Sequence, residues 1–501
     1  MTKQDPNLLT QSVEQDDETA GLNLIQRGSL PIGYVPTPTR EYRAYRKAKK
    51  STVGAGIPTP PVPIRIPLPA VQGSRVLMWK QDPSVSEIGI RKAYLPNTLV
   101  TGPKDSRIAT TGLPPVSPNA LGDFIQTPGT DAFDCVHTFA VVRQTLTMYQ
   151  RALSSISTAA ATPWQWNGSS NTDPLSVLPH GLPDTMNAFY SRSVKALKFG
   201  DFIRPGSSPP QRLYTCRSFD IVSHETGHAI LDGLKPNWIM SANAPQTGAL
   251  HESFGDLTAI FLALSQFDQV EAIIAQTRGN LHDKTFLSDL AEDFGLALGR
   301  PNGLRNADND LKLSQVTTEV HALSQVFTGA IYDVLADIFA HERRPGKTDD
   351  AVGLYAVGQY LCGLLLRAII SAPANNATFA DVVNQMLTIT ATDGKPVQYR
   401  NFIRNRFTLR EVVVSPTPLT SDLKPGVVLE ATKHNADTNA IQNRIGCCGT
   451  MQHADFNGDA EALEEELDEL KKAFDSRSRR GRAITPISDN VAHEAPAKRG
   501  H

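Results

Sequence analysis

Charge of one sign is what this chain has least to spare. Its 49 basic residues against 51 acidic ones leave a net charge of −2. That balance removes the electrostatic case for binding nucleic acid or an anionic membrane surface, so no nucleic-acid partner is expected. Cysteine is scarce as well. Cys135, Cys216, Cys362, Cys447 and Cys448 are irregularly spaced, which argues against a disulfide scaffold and agrees with a reducing compartment. The adjacent Cys447 and Cys448 read as plain loop thiols. No apolar run reads as long enough to span a bilayer, so no transmembrane segment is expected. The best candidate, around Leu361 to Ile370, is interrupted by Arg367 and reads as a buried helix. The start, MTKQDPNLLTQSVEQDDETAG, lacks the basic head and apolar middle of a secretory leader. A cytoplasmic location is expected, short of an export route that needs no such leader.

What is present calls for more than one lobe, because 501 residues exceed what one core usually supports. Residues 1–74 read as an extension: a polar start, a basic tyrosine-bearing arm from Arg40 to Lys50, and a proline-dense run from Pro58 to Pro69 that cannot join a central sheet. Residues 75–217 read as a β-containing N-terminal lobe. Short apolar and β-branched runs at Arg75–Trp79, Ile88–Leu95 and Thr98–Thr101 predict strands, and Phe139, Val142, Leu146 and Tyr149 fall on one face of a helix. Residues 218–415 read as a helical lobe, with helices near 218–234, 249–266, 320–341, 351–370 and 378–388. Residues 416–501 form a C-terminal extension. Within it Leu463, Leu467, Leu470 and Phe474 make a narrow apolar stripe on a predicted helix over Asp459–Phe474, which needs a surface on its own chain or on a partner. The flanking tail reads as disordered. No internal repeat is evident.

The chemistry concentrates in DIVSHETGHAILDGLKP, Asp220 to Pro236. Ile221, Val222, Ala229 and Ile230 suit a buried helix that must end before Pro236. His224 and His228, four apart, project from one face and can grip one metal ion. Glu225 lies one step round the helix, beside the metal, where a carboxylate can take a proton from water. A second helix, TGALHESFGDLTAIF, carries Glu252 and Asp256 four apart. Glu252 suits the third ligand, and Asp256 suits the carboxylate that orients a ligating histidine. Imidazole and carboxylate donors with one open position favour a single Zn²⁺ per chain.

Over roughly residues 130 to 415 the chain resembles the thermolysin-like gluzincin zinc metallopeptidases. NAFY, Asn187 to Tyr190, resembles the family's edge-strand segment, so Asn187 and Ala188 are implied to hold an extended peptide. GLRN, Gly303 to Asn306, resembles the segment that places Arg305 on a substrate carbonyl. EVHALSQVFTGAIY, Glu319 to Tyr332, resembles the segment bearing the histidine that stabilises the transition state, with His321, Ser324 and Tyr332 in register. ATFADVVNQML and the stretch near Phe402 resemble the closing helices.

The resemblance implies an α+β fold of two lobes with the zinc in the cleft between them. It also implies an endopeptidase in which Glu225 is the general base and His321 meets the oxyanion. Ile221 and Leu304 are implied to line a pocket for a hydrophobic residue after the cleaved bond.

Three features differ from the family. Trp238 and Ile239 stand where an assisting tyrosine is expected, and the carboxylate that orients the transition-state histidine is out of register, with Glu319 nearby. Asp220 matches one calcium-associated position without the acidic residues that follow Asp256 in the family, so structural calcium is not expected. Two rival readings are a gluzincin that hydrolyses a non-peptide substrate and a binding protein on a degraded peptidase fold.

Overall fold

A computed structural model describes residues 73–96, 99–154, 162–168, 170–240, 243–300, 302–415 and 430–431. The basic arm, the proline run, Cys447, Cys448, the amphipathic stretch over Asp459–Phe474 and the tail lie outside the described residues.

The described chain begins with an antiparallel pair, β1 (Gly73–Trp79) and β2 (Ile90–Pro96), in which Val76 pairs with Ala93. Along β1 every second residue turns inward, so Val76 and Met78 are buried and Arg75 is exposed. The 98–101 stretch forms no strand among its described residues; Val100 makes an isolated bridge to Lys104. Helix α1 (Asp131–Ser154) carries Phe139, Val142, Leu146 and Tyr149 into the core, but its buried surface runs almost all the way round. It passes beneath the hairpin on one side and the metal-motif helix on the other.

A mixed sheet follows, built from β3 (Ile108–Thr110), β4 (Leu175–Leu182), β5 (Ala188–Ser191), β6 (Ala196–Ile203) and β7 (Arg212–Tyr214). Its order is β3-β4-β6-β5, with β7 also pairing β6, so β5 is an edge strand with only β6 beside it among the described residues. β3 and β6 run parallel to β4, whereas β5 and β7 run antiparallel to β6.

From Phe219 onward the described chain is mainly helical. α2 (Phe219–Leu234) starts at Ser218, whose hydroxyl accepts the Ile221 N–H. α3 (Pro245–Leu264) opens on a proline and is followed, after a bend of 91°, by α4 (Phe267–Thr277). The short strands β8 (Asp289–Leu290) and β9 (Arg305–Asn306) pair across α5 (Glu292–Ala297). α6 (Val320–Glu342), α7 (Asp350–Ser371), α8 (Phe379–Thr392) and α9 (Val397–Leu409) complete the bundle. Each helix predicted in this region is present.

The sequence reading that no segment is long enough to span a bilayer needs correction. By length and composition alone α6 and α7 are long and apolar enough, and the bent α3–α4 pair would pass if it were one span. Here 83% of the most apolar window of α6 and 56% of that of α7 are buried inside the protein itself. Their apolarity reflects helices buried on several sides rather than along one stripe.

Helices α2 and α3 lie unusually close where the site forms. A methyl group on Gly255 would come within 2.6 Å of the His224 ring, and one on Gly227 within 2.7 Å of the Thr258 hydroxyl. Both positions need a hydrogen in place of a side chain, because the helices could not otherwise approach.

Candidate metal centre

Four groups of potential ligands come together among the described residues. In two of them a guanidinium already occupies the carboxylate. Asp134 takes two hydrogen bonds from Arg217, each 2.8 Å, and Asp333 takes one from Arg410, also 2.8 Å. A third group is all carboxylate. The fourth is His224, His228 and Glu252, all buried, and no guanidinium intrudes on their ligand atoms.

In that group His224 Nε2 stands 3.5 Å from Glu252 Oε2, and His228 Nε2 stands 3.6 Å from Glu252 Oε1. Ligand bonds of about 2.05 Å to a tetrahedral ion put ligand atoms about 3.3 Å apart, so the spacing suits zinc closely. Both Nε2 atoms and Glu252 Oε2 are buried with no hydrogen-bond partner among the described residues. Leaving a buried polar atom unmet costs roughly 1–3 kcal/mol, and an ion at the centre would meet all three. The donor set, two imidazoles and a carboxylate, fits a borderline cation with one position left open.

The ligands are braced from behind. His224 Nδ1 donates to Asp256 Oδ1 at 3.0 Å, the orienting role expected of Asp256. Arg305 Nε and one terminal nitrogen in turn donate to the same carboxylate, at 3.0 and 2.5 Å, so Arg305 braces the ligand system. Burial disfavours charge on His224, but its hydrogen bond to Asp256 and the nearby Glu252 carboxylate outweigh that and lift it to about 9. His228 lacks such a carboxylate behind it, and burial drives it down to about 3. Glu252, despite burial, is held well below the usual carboxylate range by His321 and His228.

Glu225 reaches the same space. One oxygen, Oε2, accepts the backbone N–H of Tyr190 at 3.0 Å, while Oε1 is buried without a partner. Burial, with the nearby Glu252 charge, pushes its carboxyl up to about 8. A carboxyl whose proton affinity lies near neutrality, with one oxygen unclaimed, can accept and return a proton.

The same bond shows how β5 faces the helix. Because the Tyr190 N–H points to Glu225, Ala188, two residues away, points its N–H outward from the sheet in the same phase, where Asn187 Oδ1 accepts it at 2.8 Å. The Tyr190 hydroxyl donates to Asp232 Oδ2 at 2.7 Å, one more tie between β5 and α2. Asn187 and Ala188 are both buried. Ile221 and Leu304, at 2% and 3% exposed, lie in the protein core.

His321 stands at the first turn of α6, with Nε2 3.2 Å from Glu252 Oε2. Its Nδ1 donates to Glu319 Oε1 at 2.6 Å, and the Glu319 carboxylate also accepts the backbone N–H of His321 and of Ala322. Glu319 therefore caps the helix and orients the histidine together. It supplies the carboxylate that was out of register in the sequence. Burial opposes charge on His321, yet Glu252 and Glu319 raise it well above its ordinary value. Ser324 and Tyr332 are spent on structure: the Ser324 hydroxyl donates to the His321 carbonyl and the Tyr332 hydroxyl to that of Leu281. Trp238 does not replace the missing tyrosine, since its indole N–H donates to the Pro373 carbonyl.

No protein-family model matches the chain, and no curated protein does. Among solved structures, it is similar to the precursor of protealysin, a metalloproteinase from Serratia proteamaculans. Identity is 15% and the TM-score 0.39, over 61% of this chain and 86% of that one. At that level the side chains, not the neighbour, must carry the chemistry.

Asp220, a lone carboxylate in the sequence, has company. Its oxygens lie with those of Asp82 and Glu292 within 4.8 Å of one another, forming the all-carboxylate group. The Ala291 N–H donates to Asp220, and the Ser218 hydroxyl and Asp293 N–H donate to Asp82, while both Glu292 oxygens are buried without partners. Burial raises all three acids; Asp82 repels Asp220, both repel Glu292, and Asp293 helps burial lift Asp82 to about 7. Sequence reading missed this cluster, Glu319 as an orienter, and His251, which packs behind His228.

Proposed function

We propose that this chain is a zinc-dependent metallopeptidase, an endopeptidase that hydrolyses bonds within extended peptides. The observation that carries the reading is the convergence of His224, His228 and Glu252 on one point beside the unclaimed oxygen of Glu225. A zinc ion held by those three residues would polarise a peptide carbonyl and lower the pKa of water to about 7.

The chain's own residues do the rest. The edge strand β5, at Asn187 and Ala188, lines up the peptide backbone. Glu225 takes the proton of the attacking water on Oε1 and later delivers it to the leaving amine. His321, oriented by Glu319, donates from Nε2 to the oxygen on which charge develops. Arg305 approaches a substrate carbonyl while bound to Asp256, and Ile221 with Leu304 favours a hydrophobic residue after the cleaved bond.

The direct test is to measure zinc content and cleavage of an unstructured protein such as casein, with and without a zinc chelator. One zinc per chain and chelator-sensitive cleavage are expected. Stoichiometric zinc without peptide cleavage would leave a metalloprotein of another function.

A further inference from the structure

His228 and His251 face each other in the protein interior with their Nδ1 atoms 2.8 Å apart and both rings fully buried. Two imidazole nitrogens at that distance form a hydrogen bond only if one carries a proton and the other offers a lone pair. His228 cannot choose freely. Its Nε2 points at the cluster formed with His224 and Glu252, so as a ligand it must present its lone pair there and keep its single proton on Nδ1.

From this we infer that His251 is a positioning residue: a neutral imidazole, protonated on Nε2, whose Nδ1 accepts the His228 Nδ1–H and fixes the ring that binds the metal. The inference rests on the metal assignment proposed above and deepens it. The two histidine ligands are then backed by different chemistry, His224 by the charged Asp256 and His228 by an uncharged ring. A carboxylate behind both would add a second buried negative charge beside Glu225 and Glu252. An imidazole orients His228 without one.

The test compares His251→Asn, whose amide oxygen stands at the same number of bonds from the backbone as Nδ1, with His251→Leu, which fills space but cannot accept. Zinc affinity is read by competition with a chromophoric chelator, alongside the thermal midpoint of each metal-free protein. His251→Leu should bind zinc about 10–100-fold more weakly, the usual cost of losing an orienting partner, while His251→Asn stays near wild type. A purely space-filling role for His251 predicts the reverse order.

If His251→Leu fails to fold, ¹⁵N-histidine spectra of the wild-type zinc form decide, with the proton expected on His228 Nδ1 and absent from His251 Nδ1. A His251→Leu variant that holds zinc as tightly as wild type would overturn the inference and leave the metal assignment standing, whereas the opposite tautomers would overturn the inference together with His228 as a ligand. A wild-type protein that takes up no zinc would overturn both.

Discussion

Glu225 and His321 are held by different kinds of partner, and the difference sets what each substitution should do. Glu225 has one oxygen anchored on a backbone N–H and one unclaimed. Glu225→Gln keeps the anchor and every proposed ligand, so zinc content should be unchanged while turnover falls roughly 10²–10⁴-fold. Near-normal turnover at full zinc occupancy would show that another group takes the proton. His321 depends instead on a charged partner that also caps its helix. If His321 meets the oxyanion as proposed, His321→Ala should lower kcat at least about 100-fold with little change in KM, because that charge exists only in the transition state. Steady-state kinetics on a quenched peptide would separate the two constants, and an effect confined to KM would place His321 in substrate binding only.

Among elements, the contact of α2 with α3 decides most. A methyl group on Gly255 has nowhere to go but into the His224 ring, whose nearest atoms would lie 2.6 Å away. Gly255→Ala should therefore break the His224–Asp256 bond, cost about 1–3 kcal/mol of stability and weaken zinc binding. A variant with wild-type melting temperature and zinc affinity would mean the helices separate at little cost. These helices were legible in the sequence because their apolar periodicity is long and, for α2, the end is marked by Pro236. The strands β4, β6 and β7 were not assigned, since β6 is buried at most positions and shows no clean alternation. Glu319 was visible only as a nearby carboxylate; that it bends back onto His321 depends on the turn that caps α6. His251 looked like one more polar residue on a buried helix, because its partner lies 23 residues away on another.

Across the whole molecule, Asp82, from the loop after β1, meets Asp220 on α2 and Glu292 on α5. Sequence could not reveal this junction, whose members span 210 positions. Asp82 binds its proton up to about pH 7 in the fold, against an ordinary value of 3.8. Between those values the folded chain holds a proton that the unfolded chain has released. Its stabilisation is thus complete below about pH 4 and is lost as pH rises to about 7, by about 1.4 kcal/mol per pH unit for one proton. Asp256 and Glu252, held low, act in the opposite direction, so the informative quantity is the difference between proteins. Followed from pH 4.5 to 7.5 without added divalent cations, the melting temperature of wild type should fall relative to that of Asp82→Asn as pH rises. A constant gap would mean that Asp82 ionises in the fold at its ordinary value.

If β5 holds the substrate as proposed, its pairing with β6 alone among the described residues bears on what that substrate must be before it arrives. An edge strand reads main chain, and it can do so only when several consecutive residues have given up their own hydrogen bonds. Discrimination would then fall less on the identity of a target than on how often it is locally open. For a stably folded protein the cleavage rate would scale with the population of its unfolded segments, and each 1.4 kcal/mol of target stability would slow cleavage about tenfold. A series of destabilised variants of one substrate, all sharing the same cleaved sequence, should line up on that slope. Cleavage rates indifferent to substrate stability would mean that recognition begins on a folded surface.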